Sequence, residues 1–143
     1  MMNIYVASDH AAVKEKDNLI SSLSGYKVID CGPTSDVSCD YPDYAKIVAD
    51  KIKADNGSLG ILLCGTGIGM SIACNFEGVF SARCCSVEDA KMARQHNHAR
   101  VICLGARQLN ASVIIEIVEQ FLETEPSFDN RHIRRLLKIG GIA

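Results

Sequence analysis

The segment Cys64-Gly65-Thr66-Gly67-Ile68-Gly69 places a thiol, a hydroxyl and three glycines within six residues. It lies between an apolar run and a helical pattern, so we expect a turn from a strand into a helix N-terminus. The free N–H groups and positive end of a helix stabilise a thiolate and can hold an oxyanion. A thiolate placed there suits the removal of a proton next to a carbonyl, with the N–H groups holding the charge that develops on oxygen. Thr66 adds a hydroxyl that both donates and accepts.

This glycine loop matches no common nucleotide motif. The P-loop pattern is absent, and Met70 occupies the third glycine position of a dinucleotide fingerprint. By itself, the loop is equally compatible with a phosphate or oxyanion site and with a turn that uses glycine only for packing.

The cysteines indicate a reduced, cytoplasmic protein. There are seven, at positions 31, 39, 64, 74, 84, 85 and 103, and none forms a C-x-x-C pair. An odd number without a signal peptide disfavours a disulfide framework, a zinc ribbon and a thiol redox protein. We expect most of the other thiols to be small buried hydrophobes.

The histidines and the basic tail offer further candidates. His96 and His98 belong to no spaced ligand cluster, so we expect no metal. His96 is either a polar residue at a helix end or a proton donor and acceptor. The tail has a cationic set and an apolar set on one short helix: Arg131, His132, Arg134, Arg135 and Lys138, against Ile133, Leu136 and Leu137. The cationic face is either solvated or binds an anion such as phosphate.

Alternating strands and helices must position these residues. The pattern predicts strands over residues 3–7, 27–30, 59–64, 81–85 and 100–104, and helices over 11–23, from about 44, from 68, after the cap Ser86, over 111–122 and over about 131–139. Residues 31–43 are expected to be loop. In the first helix Ala12, Leu19 and Leu23 should face the core, with Lys14, Glu15 and Lys16 facing solvent.

This alternation predicts an α/β fold: a doubly wound, Rossmann-like five-stranded parallel sheet with helices on both faces and an extended C-terminal helix. In a flavodoxin-like 2-1-3-4-5 order, ligands bind between strands 1 and 3. The segments at that point are Ser8-Asp9-His10 and Cys64–Gly69. This position favours His10 as a ligand-binding residue.

Length, net charge and hydropathy disfavour several other classes of protein. The 143 residues predict one domain over 1–143, and the net charge of -2 disfavours broad nucleic-acid binding. No apolar run is long enough to span a membrane.

In combination, the motifs S-D-H at 8–10, D-Y-P at 40–42, C-G-T-G-x-G at 64–69, R-Q-H-N at 94–97, G-A-R at 105–107 and R-H-x-x-R at 131–135 resemble those of the type B ribose-5-phosphate isomerase family. That family also includes galactose-6-phosphate isomerase subunits and allose-6-phosphate isomerase. The similarity runs from residue 3 to about 138.

The resemblance implies reversible isomerisation of ribose 5-phosphate and ribulose 5-phosphate, no cofactor, and a homodimer, often paired into tetramers, with the active site at the subunit interface. It implies that Cys64 is the base, that Thr66 shuttles a hydroxyl proton and that His96 opens the sugar ring. The residues that it assigns to substrate binding are Asp9, His10, Asp40, Tyr41, Gly65, Gly67, Gly69, Asn97, Arg107, Arg131 and Arg135, with Arg131 and Arg135 supplied by the second subunit.

The chain departs from the family at a few positions. Met70 stands where some relatives use a glutamate base, and since Cys64 is present, the cysteine-base subtype is indicated. Phe76 replaces a common lysine, and His98 lies at a variable position. The alternatives are an isomerase of a six-carbon sugar phosphate and a non-catalytic sugar-phosphate-binding module. A binding module needs no base, and the galactose-6-phosphate enzymes divide their catalytic set between two different subunits.

Overall fold

A parallel sheet of five strands organises the chain. The computed structural model describes residues 1–140, so the last three residues of the predicted 1–143 domain lie outside the described part. The strands are β1 (Asn3–Ser8), β2 (Lys27–Asp30), β3 (Leu59–Cys64), β4 (Ser81–Arg83) and β5 (Val101–Gly105). The helices are α1 (Val13–Ser22), α2 (Tyr41–Ala54), α3 (Ile68–Phe76), α4 (Val87–Asn97), α5 (Ala111–Glu123) and α6 (Asn130–Ile139). A 3-10 turn, His10–Ala12, precedes α1.

The predicted fold class is confirmed: every strand pair is parallel and helices cover both faces. Alternate residues of a strand point to opposite faces. Ile61 and Leu63 therefore join a core with α1, α4 and α5, whereas Leu62 and Cys64 join a core with α2 and α3. Cys64 thus lies on the α2–α3 face, at the carboxyl end of the central strand.

The strand order is β2-β1-β3-β5-β4, which differs from the predicted 2-1-3-4-5 because the last two strands exchange places. All five residues of β5 are buried, whereas β4 has three residues, two partly buried and one exposed. A short, partly polar strand is better suited to the edge of a sheet, and a fully apolar strand to its interior. The predicted ligand point between β1 and β3 is unaffected.

Two segments begin or orient differently from the sequence prediction. Helix α2 begins at Tyr41, so the loop predicted over 31–43 ends at Asp40, the N-cap of α2. Lys16, predicted to face solvent, is 0% exposed, and its ammonium donates to both carboxylate oxygens of Asp30 at 2.7 and 2.8 Å. A buried charge needs such a partner, and the aliphatic stem of lysine completes the apolar face.

The prediction of buried thiols holds for Cys74, Cys84 and Cys103, whereas Cys31 and Cys39 are partly buried and Cys85 is exposed. Burial raises the pKa of Cys74 and of Cys84 to about 12, and that of Cys103 well above its ordinary value.

Within residues 1–140, no helix combines the length and apolar character needed to cross a bilayer.

Candidate active site

The carboxyl ends of β1, β3 and β5 surround an open cleft of about 440 Å³. Its lining contains seven of the predicted site residues and two apolar residues of α3, Ile68 and Ile72. The seven are Asp9, Tyr41, Cys64, Gly65, Thr66, Gly69 and Arg107. Asp9 follows β1, and its amide donates to the carbonyl of Leu63 at 3.0 Å. This backbone bond holds the ends of the two central strands together at the predicted switch point.

Cys64 is 5% exposed, and its sulfur accepts a hydrogen bond from the amide of Gly67 at 3.1 Å. The amide of Ile68 donates to the Thr66 hydroxyl at 3.2 Å. Among the described residues, no backbone partner is found for the amides of Gly65 and Thr66. The Gly67 amide therefore serves the sulfur, while those of Gly65 and Thr66 are available to an oxyanion.

Gly67 is required by the backbone. It is the N-cap of α3 in the left-handed region, with φ of +79°. A Cβ atom there would lie 2.9 Å from the carbonyl carbon of Leu104, in the backbone of β5. Only glycine permits both the conformation and the close approach of the loop to β5.

At Gly65 and Gly69, the absence of a Cβ atom leaves space for side chains from neighbouring elements. The Arg107 guanidinium lies over Gly65, where a Cβ atom would be 3.1 Å from Nη1. The Tyr41 ring lies over Gly69, where a Cβ atom would be 2.6 Å from Cζ. Arg107 reaches the loop because β5 adjoins β3, as shown by the bond of 3.1 Å from the Arg107 amide to the Gly65 carbonyl.

His10 and Asp40 flank this cleft. The His10 Nδ1 atom lies 3.1 Å from the amide nitrogen of Cys39 and 3.2 Å from its carbonyl oxygen. These contacts tie the 3-10 turn after β1 to the loop before α2. Asp40 is exposed, and its carboxylate does not cap α2, so the carboxylate is free of the helix that it precedes.

Four predicted site residues lie elsewhere. His96 and Asn97 end α4, and Arg131 and Arg135 are exposed on α6, which packs against α4. Since α4 leads directly into the start of β5, His96 and Asn97 lie near the amino edge of the sheet, opposite Cys64. One chain therefore holds two separate groups of predicted site residues.

The second group contains a pair of histidines. The rings of His96 and His132 lie 4.3 Å apart, tilted by 31°. His132, predicted on the exposed cationic face of α6, is in fact 7% exposed, and its Nδ1 atom lies 3.1 Å from the Ser127 hydroxyl. Burial lowers the pKa of His132, and the nearby His96 and Arg131 lower it further. Leu137, predicted on the apolar face, is exposed.

Sequence reasoning missed two residues beside the glycine loop. Arg83, at the end of β4, donates through Nε to the carbonyl of Thr66 at 2.8 Å, and its Nη2 donates to Gln108 at 2.6 Å. A charged residue at the carboxyl end of a strand was the available signal, since ligands bind at that edge.

Within residues 1–140 there is no group of three or more His, Cys, Asp or Glu side chains that could hold a metal ion.

Comparison with known proteins supplies independent information. Residues 4–139 match the family model described as Ribose/Galactose Isomerase. The chain is 43% identical to a probable ribose-5-phosphate isomerase B of Mycoplasma genitalium, over 96% of this chain and 93% of that protein.

Two solved structures are similar along nearly the whole chain. A ribose 5-phosphate isomerase of Thermotoga maritima gives a TM-score of 0.91 at 44% identity, covering 96% of this chain and 97% of that one. Ribose-5-phosphate isomerase B of Mycoplasma genitalium with bound ribulose-5-phosphate gives 0.90 at 42% identity, covering 96% and 93%.

Proposed function

This chain belongs to the ribose/galactose isomerase family, and from that membership we propose that it interconverts D-ribose 5-phosphate and D-ribulose 5-phosphate. The observation that carries the proposal is the similarity, along nearly the whole chain, to an isomerase that binds ribulose-5-phosphate. The thiol, hydroxyl and free amides around the cleft supply the chemistry that an aldose–ketose isomerisation needs.

The reaction moves one proton between neighbouring carbons. The Cys64 thiolate removes the C2 proton, the electrons of that bond form the C1–C2 double bond, and O1 takes the negative charge. The sulfur then returns the proton to C1, while the O2 hydroxyl proton passes to O1 through the Thr66 hydroxyl. The amides of Gly65 and Thr66 stabilise the enediolate between the two steps.

The remaining residues bind the substrate around this reacting pair. Asp9 and Asp40 orient the sugar hydroxyls, Tyr41 lines the sugar pocket, and His10 and Arg107 bind the phosphate, for which the arginine fork is suited. Binding the phosphate away from C1 and C2 supplies energy that positions those carbons at the sulfur.

We also propose that a second copy of the chain completes the site. The second group, His96, Asn97, Arg131 and Arg135, lies too far from Cys64 in one chain to reach the same substrate. In the dimer, His96 opens the sugar ring, Asn97 binds beside it, and the two arginines bind the phosphate.

An exposed apolar stripe supports this dimer. Ile68, Ile72 and Phe76 are 48%, 66% and 90% exposed, and they recur every fourth residue along α3. The stripe is continuous with the cleft, since Ile68 and Ile72 also line it. An apolar face of this kind is typical of a subunit interface.

A coupled assay tests the activity. Purified protein without added metal should convert ribose 5-phosphate, and Cys64→Ala should lower kcat by roughly 10²–10⁴-fold, as the loss of a general base does. Cys85→Ala, which removes an exposed thiol elsewhere, serves as the matched control and should retain full activity. Turnover of allose 6-phosphate without turnover of ribose 5-phosphate would replace the proposed substrate with a six-carbon one.

A further inference from the structure

The peptide unit between Thr66 and Gly67 has a hydrogen bond at each end. Its N–H group donates to the Cys64 sulfur at 3.1 Å, and its carbonyl oxygen accepts from Arg83 Nε at 2.8 Å. One peptide group therefore connects the guanidinium of an edge strand to the thiol of the central strand.

The guanidinium is held in place by a neutral partner. Arg83 Nη2 donates to the side-chain oxygen of Gln108 at 2.6 Å, which fixes the plane of the fork. Among residues 1–140, no carboxylate oxygen lies within 4.0 Å of an Arg83 nitrogen. The positive charge at the Thr66 carbonyl is therefore not neutralised by an ion pair.

The contact between Arg83 and the glycine loop also depends on Gly105, the last residue of β5. A Cβ atom on Gly105 would lie 2.7 Å from the Thr66 carbonyl oxygen and 3.0 Å from the Gln108 side-chain oxygen. The absence of a side chain at Gly105 thus leaves space for both acceptors of the Arg83 fork. This makes the contact part of the packing between the glycine loop and β5.

We propose that Arg83 is a positioning residue that acts on Cys64 through the Thr66–Gly67 peptide and favours the thiolate form. A charged donor on the carbonyl oxygen polarises the peptide, which makes its N–H group a stronger donor to the sulfur. A hydrogen bond to the charged form of an acid stabilises that form. Arg83 itself is exposed and does not line the cleft, so it contacts neither the reacting atoms nor the substrate pocket.

This inference rests on the proposed role of Cys64 as the base, but it concerns a property of the thiol that can be measured without substrate. Other ionisable groups lie around the thiol: Asp9, Tyr41 and Arg107 line the same cleft, and Cys103 lies on the neighbouring strand β5. All of them remain in place when only Arg83 is changed, so a comparison of variants isolates the relayed hydrogen bond.

The experiment measures the alkylation rate of Cys64 by iodoacetamide as a function of pH, by mass analysis of the peptide that contains it. At neutral pH, Arg83→Gln should slow alkylation by about threefold. The difference should shrink as the pH rises, because a hydrogen bond that favours the thiolate no longer matters once both proteins hold the thiolate. Lys91→Gln, which removes a positive charge from the exposed surface of α4, should match the wild type throughout.

Two further variants separate the relay from the charge. Arg83→Lys keeps the charge but cannot bond Thr66 and Gln108 with one planar fork, so it should slow alkylation by less than Arg83→Gln. Gln108→Ala removes only the partner that orients the fork, and it should also give a partial slowing. If Arg83→Gln does not fold, as judged by circular dichroism, Gln108→Ala carries the same test.

Kinetics give an independent readout. For Arg83→Gln, kcat should fall about threefold at neutral pH and recover at high pH, with KM changed less than twofold. A folded Arg83→Gln variant whose alkylation profile coincides with that of the wild type would overturn the proposal. Equal slowing at every pH would also overturn it, because it would indicate a displaced loop. If the wild type fails to isomerise any sugar phosphate, the function is wrong, but the alkylation profiles still decide the relay.

Discussion

Mixed dimers provide the sharpest test of how the active site is assembled. Cys64 pairs with Gly105 at the carboxyl end of the sheet, whereas His96 ends α4 a few residues before Val101 begins β5. Gly105 lies four residue steps beyond Val101 on β5, a length of about 13 Å at the usual rise of a β-strand. Since general acid–base groups act at about 3 Å, His96 and Cys64 of one chain cannot act on one substrate.

The test combines two impaired variants in one heterodimer. In a two-fold dimer, each site would take Cys64 from one chain and His96 from the other. Pairing a Cys64→Ala chain with a His96→Asn chain therefore creates one site with both substitutions and one site with neither. The purified heterodimer should have about half the wild-type activity per dimer, although each parent homodimer is strongly impaired.

A second heterodimer gives the opposite expectation. When one chain has both substitutions and its partner is wild type, each site assembled between chains contains one substitution, so activity should stay low. The assay is the coupled isomerase assay on heterodimers isolated with two different affinity tags. If the first heterodimer is inactive and the second has about half the activity of wild type, the site is built within one chain and the reasoning from sheet geometry is refuted.

The remaining predictions concern stability and pH. Gly67→Ala should lower the free energy of unfolding by roughly 2–3 kcal/mol, from the left-handed conformation and the clash with the β5 backbone, whereas Gly65→Ala meets only a movable side chain and should cost less; equal losses in urea unfolding would contradict this. Lys16→Ala should cost roughly 2 kcal/mol, because it opens a cavity at a fully buried position, while the partly exposed Asp30 carboxylate keeps its hydrogen bond from the Gly32 amide; a loss below about 0.5 kcal/mol would refute a structural role for Lys16. Because the pKa of His132 is lowered in the folded state, the unfolded chain binds more protons below its ordinary value of about 6.5, so stability should fall as the pH decreases through that value. In His132→Gln the dependence of stability on pH should be weaker. Urea unfolding at two pH values measures it, and an equal change in the free energy of unfolding in the variant and the wild type would show that His132 is not responsible.

Much of the fold followed from local patterns. The apolar runs of β1, β3 and β5 and the periodicity of α1 and α5 placed the elements to within about three residues. The glycine loop between an apolar strand and a helix located the cleft, because ligands bind beyond strand ends where the winding reverses. These signals depend only on near neighbours in the chain, which is why they can be read without the tertiary structure.

Lys16 and His132 show where a local pattern is insufficient. Both have polar side chains on helices with a polar face, and both are buried in the structure. Their burial depends on a partner far away in the chain or on another helix: the Asp30 carboxylate for Lys16, and the His96 ring for His132. A sequence window that covers one helix does not contain these partners.

The sequence by itself determined the parallel α/β sheet, the cleft between β1 and β3, and the thiol and hydroxyl at its centre. Only the tertiary structure decided that β5, and not β4, lies beside β3. This order brings Arg107 to the glycine loop and places Arg83, from the edge strand, on the Thr66 carbonyl. It was also the structure that put His96 at the opposite edge from Cys64. The physical reason is that a local hydrophobic pattern identifies each strand but not its neighbours in the sheet, which depend on packing between segments distant in sequence.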